Sequence, residues 1–237
     1  FFEKCLKDID IKSPMATRSS SGVIINHIAK QFPSFYSGSA DLSTSDMSAI
    51  KDEKAINAND FTGRNIKYGV REFAMGTISN GLSLLGMFIP LCGTFLVFSD
   101  YLRPSIRKAA LCKSRVIFQF THDSIFIGED GSTHQPVEQI ASMRAIPNLQ
   151  VIRPSDSNEV KMAWIAALKY EGPTALILSR QKLKKLEETN MSFKEGVAKG
   201  AYIVKKENGI KADFTIFATG SELSLALDVA QKLLEMK

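Results

Sequence analysis

Apolar positions along this chain recur at two spacings that alternate. Residues 16–30 carry Val23, Ile24, Ile28 and Ala29 at helical intervals, and Pro33 closes that helix. Residues 35–40 read as a short strand. Residues 71–85 return to helical spacing, with Phe73, Ile78, Leu82 and Leu85 available for burial. A strand at 94–98 runs into a helix near 99–112, where Pro104 is tolerated only in a first turn. Residues 115–120, RVIFQF, form a near-continuous apolar run, the pattern of a central parallel strand covered on both faces. Strands at 149–152 and 174–178 bracket a helix over 156–170, with Asp156 as its N-cap. Strand and helix in alternation predict the α/β class, a mostly parallel sheet flanked by helices.

Two segments break the alternation. Residues 43–65 are polar without a clean period and read as a long loop. Residues 181–200 are charged and irregular and read as a linker. Beyond them, strands at 202–204 and 214–218 and a helix from Ser221 read as the opening of a second α/β domain. Its Gly220-Ser221-Glu222 turn offers a helix N-terminus to an anion. The expected organisation is a linker over 1–14, an α/β domain over 15–181, a linker over 182–200 and the start of a truncated second domain over 201–237. The opening residues, FFEKCLKDIDIKSP, show neither an initiator Met nor a signal-peptide pattern, so a processed or truncated start is expected.

Composition narrows the class. The 237 residues, 44% hydrophobic and 23% charged, suffice for one sizeable core. No apolar stretch approaches the roughly 18–20 residues of a membrane-spanning helix. The 3 cysteines, Cys5, Cys92 and Cys112, lack CxxC or Cys/His spacing, which suits free thiols in a reducing compartment and makes cytoplasm the default. Net charge is +5. The excess is dispersed apart from a short cluster of Lys182, Lys184 and Lys185, without the aromatic interleaving of a nucleic-acid module. A mild positive balance also suits anionic small substrates such as sugar phosphates.

Chemistry concentrates in loops that follow predicted strands, where parallel α/β sheets place ligands. Residues 121–136, THDSIFIGEDGSTHQP, gather His122 and His134 with Asp123, Glu129 and Asp130. These groups suit hydrogen bonding to sugars and acid/base work; the alternatives are a solvated polar turn or a metal loop. Glu72 stands in GVREFAMG among Val70, Phe73, Ala74 and Met75, a setting that would desolvate its carboxyl and favour the protonated form. The alternative is a first-turn glutamate on the helix dipole. Phe95, Phe98 and Tyr101 recur at spacings of three, as core or as a stack for a flat heterocycle. Arg18, Arg153 and Arg180 sit near element ends, as phosphate forks or as surface ion pairs.

GVREFAMG, GTFLVFSDYLRP, FTHDSIFIGEDGSTHQP, IRPSD and GPTALILSRQ occur in this order and resemble the bacterial type of transketolase over about residues 14–237. The resemblance implies a thiamine diphosphate-binding fold, with this chain as the pyrimidine-binding domain and the beginning of the C-terminal domain. It implies reversible transfer of a two-carbon ketol unit between sugar phosphates, in the pentose phosphate pathway and by a homodimer. Glu72 matches the glutamate that hydrogen-bonds N1′ of the aminopyrimidine. Phe95 matches the aromatic stacked on that ring, Phe98 and Tyr101 match its companions, and Asp41 matches an acid near cofactor and dimer interface. Arg18, Ser45, His122 and Arg180 match positions that hold the sugar phosphate. Asp130 matches one that reads a donor hydroxyl, and His134 matches a histidine at the ketol carbon.

The sequence departs from the family at Phe126 and Ser132, where a Gly and a Pro are expected, and at Ser43-Thr44, where Ala-Pro is common. Phe126 is positioned to narrow the channel. No Gly-Asp-Gly occurs, so the resemblance assigns no metal ligand here and implies that Mg2+ (or Ca2+) and the diphosphate bind an N-terminal domain absent from this chain. Other readings are a separate non-catalytic subunit or assembly partner that supplies only the pyrimidine half, or a relative of dihydroxyacetone synthase or deoxyxylulose-phosphate synthase. The HDS, GEDG and THQP text with Arg18 and Arg180 favours transketolase over the last.

Overall fold

A computed structural model describes residues 2–193, 196–209 and 211–236. In chain order the helices are α1 (Phe2–Lys7), α2 (Thr17–Gln31), α3 (Ser43–Asp46), α4 (Glu72–Leu84), α5 (Ser99–Cys112), α6 (Gln139–Arg144), α7 (Ser157–Lys169) and α8 (Glu222–Glu235). The strands are β1 (Met15–Ala16), β2 (Phe35–Ser39), β3 (Asn65–Lys67), β4 (Ile89–Phe95), β5 (Ile117–Thr121), β6 (Gln150–Ile152), β7 (Thr174–Leu178) and β8 (Lys182–Leu183).

Six strands form one sheet in the order β3-β2-β4-β5-β7-β6, every neighbouring pair parallel. Side chains alternate across a strand, so each central strand serves two cores. Leu91, Ile117, Leu176 and Leu178 face α1, α2 and α7, where Ile24, Ile25, Ile28 and Trp164 are buried. Cys92, Phe118, Phe120, Ala175 and Ile177 face α4, α5 and α6, where Met75, Leu102 and Ile106 are buried. Each fully buried Leu or Ile is worth about 1.5–3 kcal/mol relative to exposure. This two-sided covering is why RVIFQF reads as unbroken apolar text.

Gln119 is the polar exception in that run, and both ends of its amide are hydrogen-bonded. Its Oε1 accepts from Ser21 Oγ at 2.6 Å, its Nε2 donates to the Asp46 carbonyl at 2.6 Å, and Ser21 Oγ accepts from Trp164 Nε1 at 2.8 Å. A buried chain of hydrogen bonds therefore links α7 through α2 and the central strand to α3.

Several boundaries differ from the sequence reading. The strand expected at 94–98 is β4, which starts at Ile89 and ends at Phe95, and Leu96–Phe98 coil into a 3-10 turn. Pro90 is admitted at the strand's beginning, which hid it from a pattern search. Pro104 lies in the second turn of α5 rather than the first, leaving the Asp100 carbonyl without its helical donor. On α4 the expected apolar stripe points outward: Phe73, Ile78 and Leu85 are exposed. The buried stripe is Glu72, Met75, Gly76, Ser79 and Asn80. Small residues win that face because α5 approaches closely; a Cβ on Gly76 would sit 2.6 Å from Leu102 Cδ1 and from Ser105 Cβ. Val23 is likewise on the outer side of α2.

The polar loop 43–65 holds α3 and bridges back at Ala55 to Asn65, where β3 adds an unanticipated edge strand. The segment read as a linker carries β8, antiparallel to β1, and a turn at Glu188–Phe193 packed on α7. There Thr189 Oγ1 and Leu186 N both donate to Asp156 Oδ2, at 2.7 and 2.9 Å. The same carboxylate accepts from Glu159 N at 3.0 Å and so caps α7 as expected. Residues 202–204 and 214–218 form no strand, since neither has a strand partner among the described residues. The helix expected from Ser221 is α8.

Candidate active site

The ends of the parallel strands converge on one edge of the sheet, and the residues that follow them carry the polar chemistry. Asp41 follows β2, Glu72 follows β3, Phe95 ends β4, His122 follows β5, and Arg180 lies two residues after β7. Arg18 joins them from the first turn of α2. That turn is stitched to the end of β7: Thr17 N donates to Ser179 Oγ at 3.1 Å, and Ser179 N donates to Thr17 Oγ1 at 2.7 Å. The stitching sets Arg18 beside Arg180.

Arg18 Nη1 donates to the Ser45 carbonyl at 2.6 Å, while its Nε is buried without a partner. Arg180 Nε lies 3.5 Å from Asp130 Oδ2, and Arg180 Nη2 donates to Glu129 Oε1 at 3.3 Å. The loop crosses the guanidinium at Gly128, which has φ +84°; a Cβ there would stand 3.1 Å from Arg180 Nη1. His122 is buried, at φ +60°. Burial, then the charges of Arg18, Arg180 and His134, push its imidazole down to about 3, so the ring is neutral. Its Nδ1 is 2.9 Å from Thr121 Oγ1.

Phe95, Phe98 and Tyr101 form a ladder from core to surface. Ring centroids are 6.0 Å apart between Phe95 and Phe98 and 6.1 Å between Phe98 and Tyr101, both stacked. His122 lies on Phe95 at 3.7 Å, and His134 stands edge-on to Phe98 at 5.3 Å. The outer rungs of the ladder, Phe98 and Tyr101, wall a cleft of about 610 Å³ that is also lined by Asp41, Val70, Glu72 and His134. Glu72 heads α4 and is 7% exposed, yet its carboxylate makes no hydrogen bond or ion pair among the described residues. Its setting differs from the expected apolar one, because Val70 and Phe73 point to solvent. A buried acid, unpartnered and facing a cleft beside stacked aromatics, fits a flat heterocycle that carries a hydrogen-bonding nitrogen.

The candidate residues thus fall into two touching groups: Asp41, Glu72, Phe98, Tyr101 and His134 around the cleft, and Arg18, Ser45, His122, Asp130 and Arg180 behind Phe95. Ser45 takes part through its carbonyl. Asp41 is an exposed rim residue at φ +65°. Arg153 is no phosphate fork; it is buried, with Nε donating to Asp123 Oδ2 at 2.8 Å and Nη2 to Glu222 Oε1 at 3.1 Å. Asp123 Oδ2 is thereby engaged in the same internal pair, while its Oδ1 is buried without a partner. Phe126 is exposed and does not line the cleft.

Sequence reasoning missed Asp46. It is fully buried, accepting from Ser39 Oγ at 2.5 Å and Ser48 N at 2.9 Å, and burial pushes its carboxyl up to about 6. The available signal was local: Asp46 is flanked by Ser39 and Ser48, and its carboxylate accepts from the hydroxyl of the first and the backbone amide of the second. Among the described residues no group of three His, Cys, Asp or Glu side chains converges as metal ligands, and no helix is long and apolar enough to cross a membrane.

The transketolase pyrimidine-binding domain family matches residues 13–185. A transketolase from Aquifex aeolicus (strain VF5) is 52% identical over 229 residues, which is 96% of this chain and 33% of that protein. The structure of a Pichia stipitis transketolase in complex with sedoheptulose-7-phosphate superposes with a TM-score of 0.89 at 37% identity, over 99% of this chain and 35% of that one. A split gene transketolase, described as an inactive beta4 tetramer, superposes with a TM-score of 0.59 at 28% identity, over 73% of this chain and 54% of that one. The chain spans about a third of the length of the curated relatives it matches. From the family match, the identity to its members and the all-parallel sheet that presents the cleft, this chain belongs to the transketolase family through the pyrimidine-binding domain.

Proposed function

We propose that this chain supplies the pyrimidine-binding half of a thiamine diphosphate-dependent active site for ketol transfer between sugar phosphates. The observation that carries the reading is the unpartnered Glu72 carboxylate facing the cleft beside the Phe95–Phe98–Tyr101 ladder. When bound, thiamine diphosphate supplies the carbanion chemistry of two-carbon transfer. The chain's residues orient and protonate. Glu72 holds a proton at N1′ of the aminopyrimidine, and Phe95 and Phe98 stack on the ring with Tyr101 at its outer edge. Arg18, Arg180 and His122 offer hydrogen-bond donors to a phosphate, Arg18 fixed in place by Ser45. Asp130 reads a sugar hydroxyl, His134 faces the ketol carbon, and Asp41 lies at the rim between cofactor and partner subunit.

The reading extends to a homodimer in the cytoplasm serving the pentose phosphate pathway, with no nucleic-acid or membrane partner. Diphosphate and Mg2+ are assigned to the part of the relatives' length that this chain does not span. Residues 15–181 form the pyrimidine domain, 182–200 connect it, and 201–237 begin a second α/β unit. In the full-length protein Glu72→Gln should lower turnover at least about a hundredfold while circular dichroism stays unchanged, because an amide cannot hold the transferable proton. Near-normal turnover would refute the assignment. A second reading, a separate subunit, is favoured by the likeness to the split gene transketolase. The intact mass of the cellular polypeptide separates the two: 26.2 kDa supports the separate subunit, and a mass several times larger supports the first reading.

A further inference from the structure

Thr121 is the last residue of β5 and is fully buried, with Oγ1 2.9 Å from His122 Nδ1. Neither group has another side-chain hydrogen bond among the described residues. A neutral imidazole carries one N–H, and the partner of Nδ1 decides which nitrogen bears it. If Nδ1–H donated to Oγ1, the threonine hydroxyl would be a buried donor with no acceptor, an arrangement folded proteins avoid. The hydroxyl therefore donates to Nδ1, and the hydrogen of the ring resides on Nε2.

We propose that Thr121 is a positioning residue whose buried hydroxyl fixes His122 as the Nε2–H tautomer, so that this histidine presents a donor to a phosphate oxygen alongside Arg18 and Arg180. The inference rests on the phosphate reading of those arginines for its ligand, though not for the tautomer. Surrounding groups support a neutral ring: Phe95 covers it at 3.7 Å, and Arg18, Arg180 and His134 all oppose a positive charge there. The backbone at φ +60° further limits where the ring can turn. Tautomer control then makes His122 a donor like the two guanidinium groups beside it, suited to an acceptor-rich phosphate. The same dipeptide recurs at Thr133 and His134, 2.8 Å apart, but Thr133 is exposed and water can take its hydroxyl hydrogen, so the constraint is peculiar to Thr121.

The test uses the full-length protein, labelled with 15N-histidine, as wild type, Thr121→Val and Thr121→Ser. Nitrogen shifts of His122, assigned with His122→Gln, report the tautomer without any turnover. Wild type and Thr121→Ser should show a protonated Nε2 and a bare Nδ1, and Thr121→Val should show a mixture. KM for sedoheptulose-7-phosphate should rise about tenfold in Thr121→Val with kcat little changed, as expected for one lost binding hydrogen bond, and Thr121→Ser should restore it. A packing role predicts the reverse, since Val keeps the shape and Ser loses a methyl; that pattern overturns the proposal. A protonated Nδ1 in the wild type also overturns it, and this readout stands even if Thr121→Val fails to fold. Absence of ketol transfer in the wild type would sink the functional reading while the nitrogen shifts still decide the tautomer.

Discussion

Arg18 Nη1 donates to the backbone carbonyl of Ser45 at 2.6 Å, tying the first turn of α2 to α3 across the site. The bond holds one edge of the guanidinium and leaves Nε buried without a partner. A lysine can take up the Ser45 contact but cannot present the rest of the planar fork. Arg18→Lys in the full-length protein should therefore raise KM for a sugar phosphate about ten- to a hundredfold and leave kcat within about threefold. Steady-state kinetics with sugar phosphates as varied substrate checks this; a change confined to kcat would contradict phosphate binding.

Support for that geometry reaches deep into the core. Ser21 Oγ accepts from Trp164 Nε1 and donates to Gln119 Oε1, all three groups buried. Ser21→Ala strands a buried donor and a buried acceptor together. The expected loss is about 2–6 kcal/mol, at about 1–3 kcal/mol for each of the two unsatisfied groups. Urea unfolding should show a lower midpoint with unchanged m-value.

How far the sequence disclosed this molecule depends on what each residue meets. β5, β7 and α7 were legible because burial on both faces and a capping aspartate are local signals. The helix α4 was found within a residue at each end, but its buried face and the bounds of β4 were misread for tertiary reasons: Pro90 sits where a strand begins, and the approach of α5 makes Gly76 and Ser79, not Phe73 and Ile78, the buried face of α4. The histidines and arginines were found as residue types, but nothing local tells Arg180, open to the site, from Arg153, closed by Asp123 and Glu222. Asp46 escaped because its partners Ser39 and Ser48, though near in sequence, meet its carboxylate only in the fold.

The outward stripe of α4 has its own consequence. Val70, Phe73, Ile78, Leu84 and Leu85 are 77, 54, 50, 64 and 61% exposed, and Val70 also lines the cleft. Such a patch suits burial against a second subunit. Ile78→Glu in the full-length protein should shift the mass measured by light scattering toward monomer, with far-UV circular dichroism retained. A dimer unaffected by this charge would place the subunit contact elsewhere.

Asp46 and His122 oppose each other in the pH dependence of stability. The Asp46 carboxyl rises from 3.8 to about 6 on folding, so the folded state binds more protons than the unfolded state, and stability falls as pH climbs from about 4 to 6. His122 drops from 6.5 to about 3, so the unfolded state binds more protons, and stability falls as pH descends from about 6.5 to 3. Between pH 4 and 6 the two slopes partly cancel. Removing either group should tilt the curve: relative to wild type, Asp46→Asn should gain stability as pH rises through that window, and His122→Gln should gain stability as pH falls. Asparagine keeps the bond from Ser48 N but reverses the one with Ser39 Oγ, which donates to Asp46 in the wild type; that loss is independent of pH and leaves the comparison of slopes intact. Denaturant midpoints taken from pH 4 to 7 on the full-length variants read both slopes. Parallel curves for all three proteins would show that neither group titrates differently on folding.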